Sequence, residues 1–188
     1  MNRYCLHLDI GLDYILKDPD YFSSLDVTEK KIAQWLIPQE ALSNDFISWY
    51  ESLGLDLWYR ELFYTAPHEN IFLHSDEINP SSCCKLNWVY DQGNTVMNWY
   101  EPNDGISLEW YRNPFVGGSY YSCEEGKYHY AHSDSIQKPS LVNVTALHDV
   151  KNNSDYPRWC VSIAFREVGA EQRLQWDRAV EIFKPYLK

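Results

Sequence analysis

Three residues stand out for what they could do together. His74 and Asp76, in His74-Ser75-Asp76, close the short apolar stretch Asn70-Ile71-Phe72-Leu73. In a strand, positions i and i+2 point to one face, so both side chains can reach one metal ion. His148, after the β-like run 141–147, is the candidate third ligand. Two imidazoles and a carboxylate form a facial triad, which leaves positions open for oxygen chemistry on Fe(II). No catalytic group beyond these ligands is indicated.

A His-x-Asp pair alone is a weak signal, since about half a match is expected by chance in this composition. The chain has three: His7-Leu8-Asp9, His74-Ser75-Asp76 and His132-Ser133-Asp134. Context selects the second. His132 lies too close to His148 for strands to separate them, and His7 lies outside the β-patterned region. A rival cluster of Cys123, His129 and His132, joined by Cys83-Cys84, matches no standard zinc spacing.

The segment after His148 adds a second kind of chemistry. The run from Arg158 to Phe165 alternates, with Arg158, Cys160, Ser162 and Ala164 on one face and Trp159, Val161, Ile163 and Phe165 on the other. The second face is large and apolar, so it packs. The first is small apart from its arginine, which suits a cavity wall. A cation inside a cavity needs an anion, because an unpaired buried charge is very costly. A dicarboxylate would supply one in bidentate geometry. A surface ion pair with Asp149 or Asp155 is the bland alternative.

An HxD pair, a distal His and an Arg ten positions further on at the start of a strand resemble the 2-oxoglutarate/Fe(II)-dependent oxygenase superfamily. The resemblance covers about residues 57–168. It implies a double-stranded β-helix with iron between the sheets, the cosubstrate's 1-carboxylate and 2-keto group on the iron, and its 5-carboxylate on Arg158. The piece His148-x-Val150-x-Asn152 followed by Arg158 is similar to the aspartyl/asparaginyl β-hydroxylase branch. So is Lys85-Leu86-Asn87-Trp88, which implies cosubstrate-binding roles for Lys85 and Asn87; a solvated strand face is the other reading of that pair. The chain departs from the branch in keeping Asp76, and it has Cys160 where several relatives have Ser.

The elements that must position these groups are mostly strands. The chain is aromatic-rich, with 8 Trp and 15 Tyr, and aromatics favour pleated surfaces. Runs at 57–64, 70–76, 85–90, 95–101, 106–112, 141–147 and 158–166, with an eighth inside 119–130, are separated by turn residues. They predict a mainly β fold, a jelly roll. Helices are predicted over 39–53, ended by Gly54, and 171–184, ended by Pro185; they flank the β core as N- and C-terminal helices. Residues 4–10 read as a strand, and 18–37 fit no single pattern. The length suits one domain, 1–188.

The net charge of −11 argues against nucleic acid and anionic membranes as partners. No apolar run spans a bilayer, and polar residues interrupt the N-terminus too early for a signal peptide. Five cysteines without a framework read as reduced thiols in a cytoplasmic protein. The expected activity is hydroxylation of a small-molecule or peptide substrate, with specificity in the loops 77–84 and 113–140; no oligomeric state is indicated. Two other readings stand beside it: a cupin-like metal enzyme without 2-oxoglutarate, and a carbohydrate-binding module whose aromatics stack on sugars.

Overall fold

The computed structural model describes residues 2–76, 83–90, 93–112, 119–136 and 139–188. Most of the predicted specificity loop 77–84 lies outside these residues, as do 113–118 and 137–138 within the second loop.

Among the described residues twelve strands run in chain order: β1 (Cys5–His7), β2 (Ile32–Leu36), β3 (Leu55–Thr65), β4 (Asn70–His74), β5 (Cys84–Tyr90), β6 (Thr95–Pro102), β7 (Glu109–Arg112), β8 (Ser119–Ser122), β9 (Tyr128–Asp134), β10 (Ser140–Asn143), β11 (Leu147–Asn152) and β12 (Arg158–Glu167). Six form one antiparallel sheet in the order β1-β10-β5-β12-β3-β2, four form a second in the order β4-β11-β6-β9, and β7 pairs with β8 alone. From β3 to β6, and again from β9 to β12, successive strands alternate between the two large sheets, with the β7–β8 hairpin inserted between. That winding is a double-stranded β-helix, a jelly roll.

Alternation along β5 and β12 builds two cores. Leu86, Trp88, Val161, Ile163 and Phe165 face outward from the six-stranded sheet and pack against α1 (Asn44–Ser52) and α2 (Trp176–Phe183), with Phe46, Tyr50, Ala179 and Phe183. Val89, Cys160, Met97, Trp99 and Val150 fill the space between the sheets. Burying side chains of this size contributes roughly 1.5–3 kcal/mol each. The helices therefore brace one sheet from outside and leave the inter-sheet space to other uses.

Several predicted boundaries move, each for a local reason. The first helix starts at Asn44 and not at 39, because Leu42 bridges Leu16 in extended conformation and Ser43 caps the helix, accepting from Phe46 N–H at 3.3 Å. Gly54 ends it at φ +71°, a conformation that favours glycine. The second helix starts at Trp176, since Leu174 N–H donates to Phe165 and Gln175 bridges Cys83. Pro185 sits in a 3₁₀ turn that continues past the helix.

The run 141–147 is two strands in opposite sheets. Asn143 accepts from Thr145 N–H, Thr145 Oγ1 and Ala146 N–H, a local turn that carries the chain across. His148 accordingly lies inside β11. The stretch 119–130 likewise contains all of β8 and the start of β9, and the ambiguous 18–37 holds β2.

Candidate metal centre

His74 ends β4 and faces His148 across the β4–β11 ladder, with ring centroids 4.2 Å apart. The ladder slips between this pair and Val150–Ile71, so β4 carries one extra residue. Ile71 and His74, three apart, can thus both face the same pocket.

Asp76 lies beyond the strand, so i, i+2 alternation does not place it. Ser75 exchanges backbone hydrogen bonds with Tyr121 of β8, and its hydroxyl donates to Thr145 O at 2.8 Å. Asp76 N–H donates to Val144 O at 2.9 Å. These bonds pin the motif's tail between the hairpin and the crossover after β10. The result is a cluster in which the ligand atoms of His74, Asp76 and His148 all lie within 4.8 Å of one another.

Both imidazoles are oriented by backbone. His74 Nδ1 donates to Phe72 O and His148 Nδ1 donates to Ala146 O, each at 2.8 Å. Each ring therefore keeps its Nε2 lone pair free to ligate. Burial, reinforced by the neighbouring His74, pushes His148 down to about 3, so it is neutral at physiological pH, as a ligand must be.

Asp76 is held from both sides. One oxygen lies 3.5 Å from His74 Nε2 and the other 2.8 Å from Lys85 Nζ. Lys85 also lies 2.8 Å from Glu61, which accepts from Gln34 at 2.5 Å. Burial alone would raise the Asp76 carboxyl, but Lys85, with smaller help from both histidines, holds it well below the usual carboxylate range. Burial would likewise lower Lys85, and Asp76 and Glu61 override it and raise the ammonium above its ordinary value.

One pocket of about 450 Å3, counting its open mouth, joins these groups to the cation at the start of β12. Its lining includes all three triad residues, Lys85, Asn87 and Arg158. Arg158 is 3% exposed and has no ion-pair partner among the described residues. The surface-pair reading fails because Asp149 is taken by Asn98 and Tyr100, at 2.6 and 2.9 Å, and Asp155 by His68. Lys85 and Asn87 are buried, not on a solvated face, and Asn87 accepts from Ser162 Oγ at 2.6 Å.

One participant, Glu61, escaped the sequence reading, and Asn152 entered it only as part of a motif, without a role. Glu61 sits in an aromatic strand with no motif around it; its position two residues before Phe63, on the same face, was the available signal. Asn152 is fully buried and donates to the carbonyls of Thr65, Ala66 and Tyr156 while accepting from Ser154 N–H and Oγ. It shapes the turn that carries His148 and Arg158 on its two arms. Trp99 is fully buried in the inter-sheet core. The rival cysteine cluster does not assemble: metal-capable groups among the described residues include neither Cys123 nor His129.

The donor set fits a divalent ion. Donors about 2.1 Å from one ion stand roughly 3–3.5 Å apart, close to the His74–Asp76 separation. Two imidazoles and one carboxylate suit Fe(II), and the same donors accept other first-row ions.

No family model matches this sequence, and no curated protein matches it. Among solved structures the chain is similar to a single-residue mutant of Bacillus subtilis oxalate decarboxylase OxdC, with a TM-score of 0.37 and 9% identity over 85% of this chain. The match spans 32% of that protein, about a third of its length. Strand order, not this likeness, defines the fold. No helix among the described residues is long and apolar enough to cross a membrane.

Proposed function

We propose that the protein is a 2-oxoglutarate-dependent Fe(II) oxygenase, a hydroxylase in which His74, Asp76 and His148 hold the ion and Arg158 binds the cosubstrate. The observation that carries the reading is Arg158, a buried guanidinium with no ion-pair partner among the described residues, which lines the same pocket as the triad. Charge argues for a dianionic ligand. Lys85 and Arg158 are offset by Asp76 and Glu61, so a divalent ion leaves two positive charges in excess. A dicarboxylate removes both, and a guanidinium fork matches its distal end.

The iron, when bound, supplies oxygen activation, one oxygen atom going to the substrate and the other to succinate as the keto acid loses CO2. The chain's own work is positioning. Phe72 and Ala146 carbonyls fix the two imidazoles, Lys85 holds one oxygen of Asp76 and turns the other toward His74, and the walls Phe63, Ile71, Met97 and Val150 keep water scarce. Asn87 and Lys85 flank the cosubstrate.

One observation favours a second reading. Ser162 gives its only proton to Asn87, and the residue between it and Arg158 is Cys160, so β12 offers a distal carboxylate no free hydroxyl. A metal enzyme that grips an acidic substrate directly on Arg158, without 2-oxoglutarate, uses the same site. Anaerobic addition of Fe(II) and 2-oxoglutarate distinguishes them: the oxygenase gives a weak visible charge-transfer band from the chelate, and its absence removes the oxygenase reading.

A further inference from the structure

β1 and β9 are the outermost strands of the two large sheets, and at this end of the sandwich they approach each other. The contact is made by Cys5 and His7 of β1 and Asp134 of β9. Their sulfur, ring nitrogen and carboxylate oxygen all lie within 4.8 Å of one another. His7 and Asp134 come from the two His-x-Asp pairs that the triad does not use.

The geometry of His7 is that of a prepared ligand. One ring nitrogen, Nδ1, lies 2.8 Å from Ser140 Oγ, and the other, Nε2, lies 3.1 Å from Asp134 Oδ1. A hydrogen bond behind the ring fixes the face it presents, as metal-bound histidines usually show. Ser140, His7 and Asp134 also have the connectivity of a hydrolytic triad, but Ser140 is fully buried and no substrate carbonyl can reach it. Cys5 is 2% exposed, whereas the His7 and Asp134 side chains are 38% and 26% exposed. An ion can therefore reach the cluster from solvent and find its sulfur ligand at the inner wall.

We propose that Cys5, His7 and Asp134 form a second divalent-metal site, suited to zinc, that clips the two sheets together. Sulfur, imidazole and carboxylate are the donors zinc takes, and the sulfur separates this site from the triad, which suits harder ions. His132 Nε2 lies 3.7 Å from the other oxygen of Asp134, and it is occupied by the Asn2 amide at 2.8 Å. The three protein donors thus leave a fourth position to water. Burial, with the Asp134 charge, pushes the Cys5 thiol up to about 12, so binding must release a proton and affinity rises with pH.

Cobalt(II) reports on the site, because a cobalt–thiolate bond gives an intense near-ultraviolet band that the sulfur-free triad cannot. Reduced, metal-free full-length protein is titrated with Co(II) without oxygen. Wild type and Cys160→Ser should both show the band, the second because Cys160 belongs to the other pocket, and Cys5→Ser should lack it. In competition with a chelator, zinc affinity at this site should fall at least about tenfold in His7→Ala and in Asp134→Asn, changes at partly exposed positions that leave the core intact. The His74→Ala/His148→Ala double variant should keep the band. No thiolate band in wild type, a band that survives Cys5→Ser, or wild-type zinc binding in both His7→Ala and Asp134→Asn overturns the proposal.

Discussion

His74 and His148 are direct partners on one antiparallel ladder, their rings 4.2 Å apart and each Nδ1 tied to the carbonyl two residues before it. The pairing converts two separate histidines into one bidentate arm, with Asp76 supplied from outside the ladder.

Replacing His74, Asp76 or His148 with alanine should abolish tight iron binding, because two remaining protein ligands rarely suffice. His7→Ala and His132→Ala should leave iron binding at the triad intact. Anaerobic Fe(II) titration with metal analysis of the desalted protein measures this. Loss of iron from His132→Ala but not from His148→Ala would show that the ligands are misassigned.

Arg158→Ala should weaken 2-oxoglutarate by at least about tenfold, one tenfold step for each 1.4 kcal/mol of a charge-assisted pair worth roughly 1.5–3 kcal/mol per bond. Lysine should rescue in part, since a point charge cannot reproduce the fork. Iron affinity should barely change. Titration of iron-loaded wild type and both variants, with thermal melts alongside, gives the comparison; equal affinities in folded proteins would remove the cosubstrate role.

Lys85→Met should be strongly destabilising, by up to about 3–5 kcal/mol, because it leaves Glu61 and Asp76 as partly buried charges without their shared cation. Lys85→Met/Glu61→Gln should recover much of that loss. Urea denaturation of the two variants and wild type measures it, and additive losses would mean the three groups do not act as a unit.

The metal-free protein should lose stability on mild acidification. His148 titrates at about 3 when folded, against about 6.5 unfolded. A depressed folded value means the unfolded chain takes up the proton first. The stabilisation is therefore complete above about pH 6.5 and falls below it, by up to about 1.4 kcal/mol per pH unit, until the folded ring titrates. Asp76, also depressed, adds loss only below the ordinary carboxylate range. Denaturation between pH 7.5 and 4.5 should give a slope that His148→Asn flattens; an unchanged slope would place the acid-sensitive group elsewhere.

Asn152→Ala should cost about 2–4 kcal/mol, since it removes five hydrogen bonds at a buried turn, each contributing roughly 0.5–1.5 kcal/mol, while Ala66 O keeps Glu69 N–H and Tyr156 O keeps the Ser154 hydroxyl as partners. A thermal melt tests it, and a change under about 0.5 kcal/mol would mean water takes over those partners.

Much of this arrangement was legible in the sequence because it rests on period-two alternation. The two faces of β12 divide as the pattern of Arg158 to Phe165 requires, and Lys85 and Asn87 fall on the inner face of β5 because Leu86 and Trp88 claim the outer. What alternation cannot express was not legible. The bulge that aims His74, the Asn143 turn that splits one apolar run between two sheets, and the tertiary bonds that place Asp76 depend on partners distant in the chain. Glu61 was invisible for the same reason: only Lys85, on another strand, gives it a purpose.

The position of β12 has a consequence for how the molecule comes together. The strand that begins with Arg158 lies between β3 and β5 in the middle of the six-stranded sheet. Until it docks, β3 and β5 each present an unpaired row of backbone donors and acceptors, the feature that invites pairing with a foreign chain. Closure thus waits for a segment synthesised after the other five strands of the sheet, and these long-range pairings are slow to form. During synthesis the nascent chain carries two open sheet halves, so any chaperone requirement should be greatest just before residue 158 emerges.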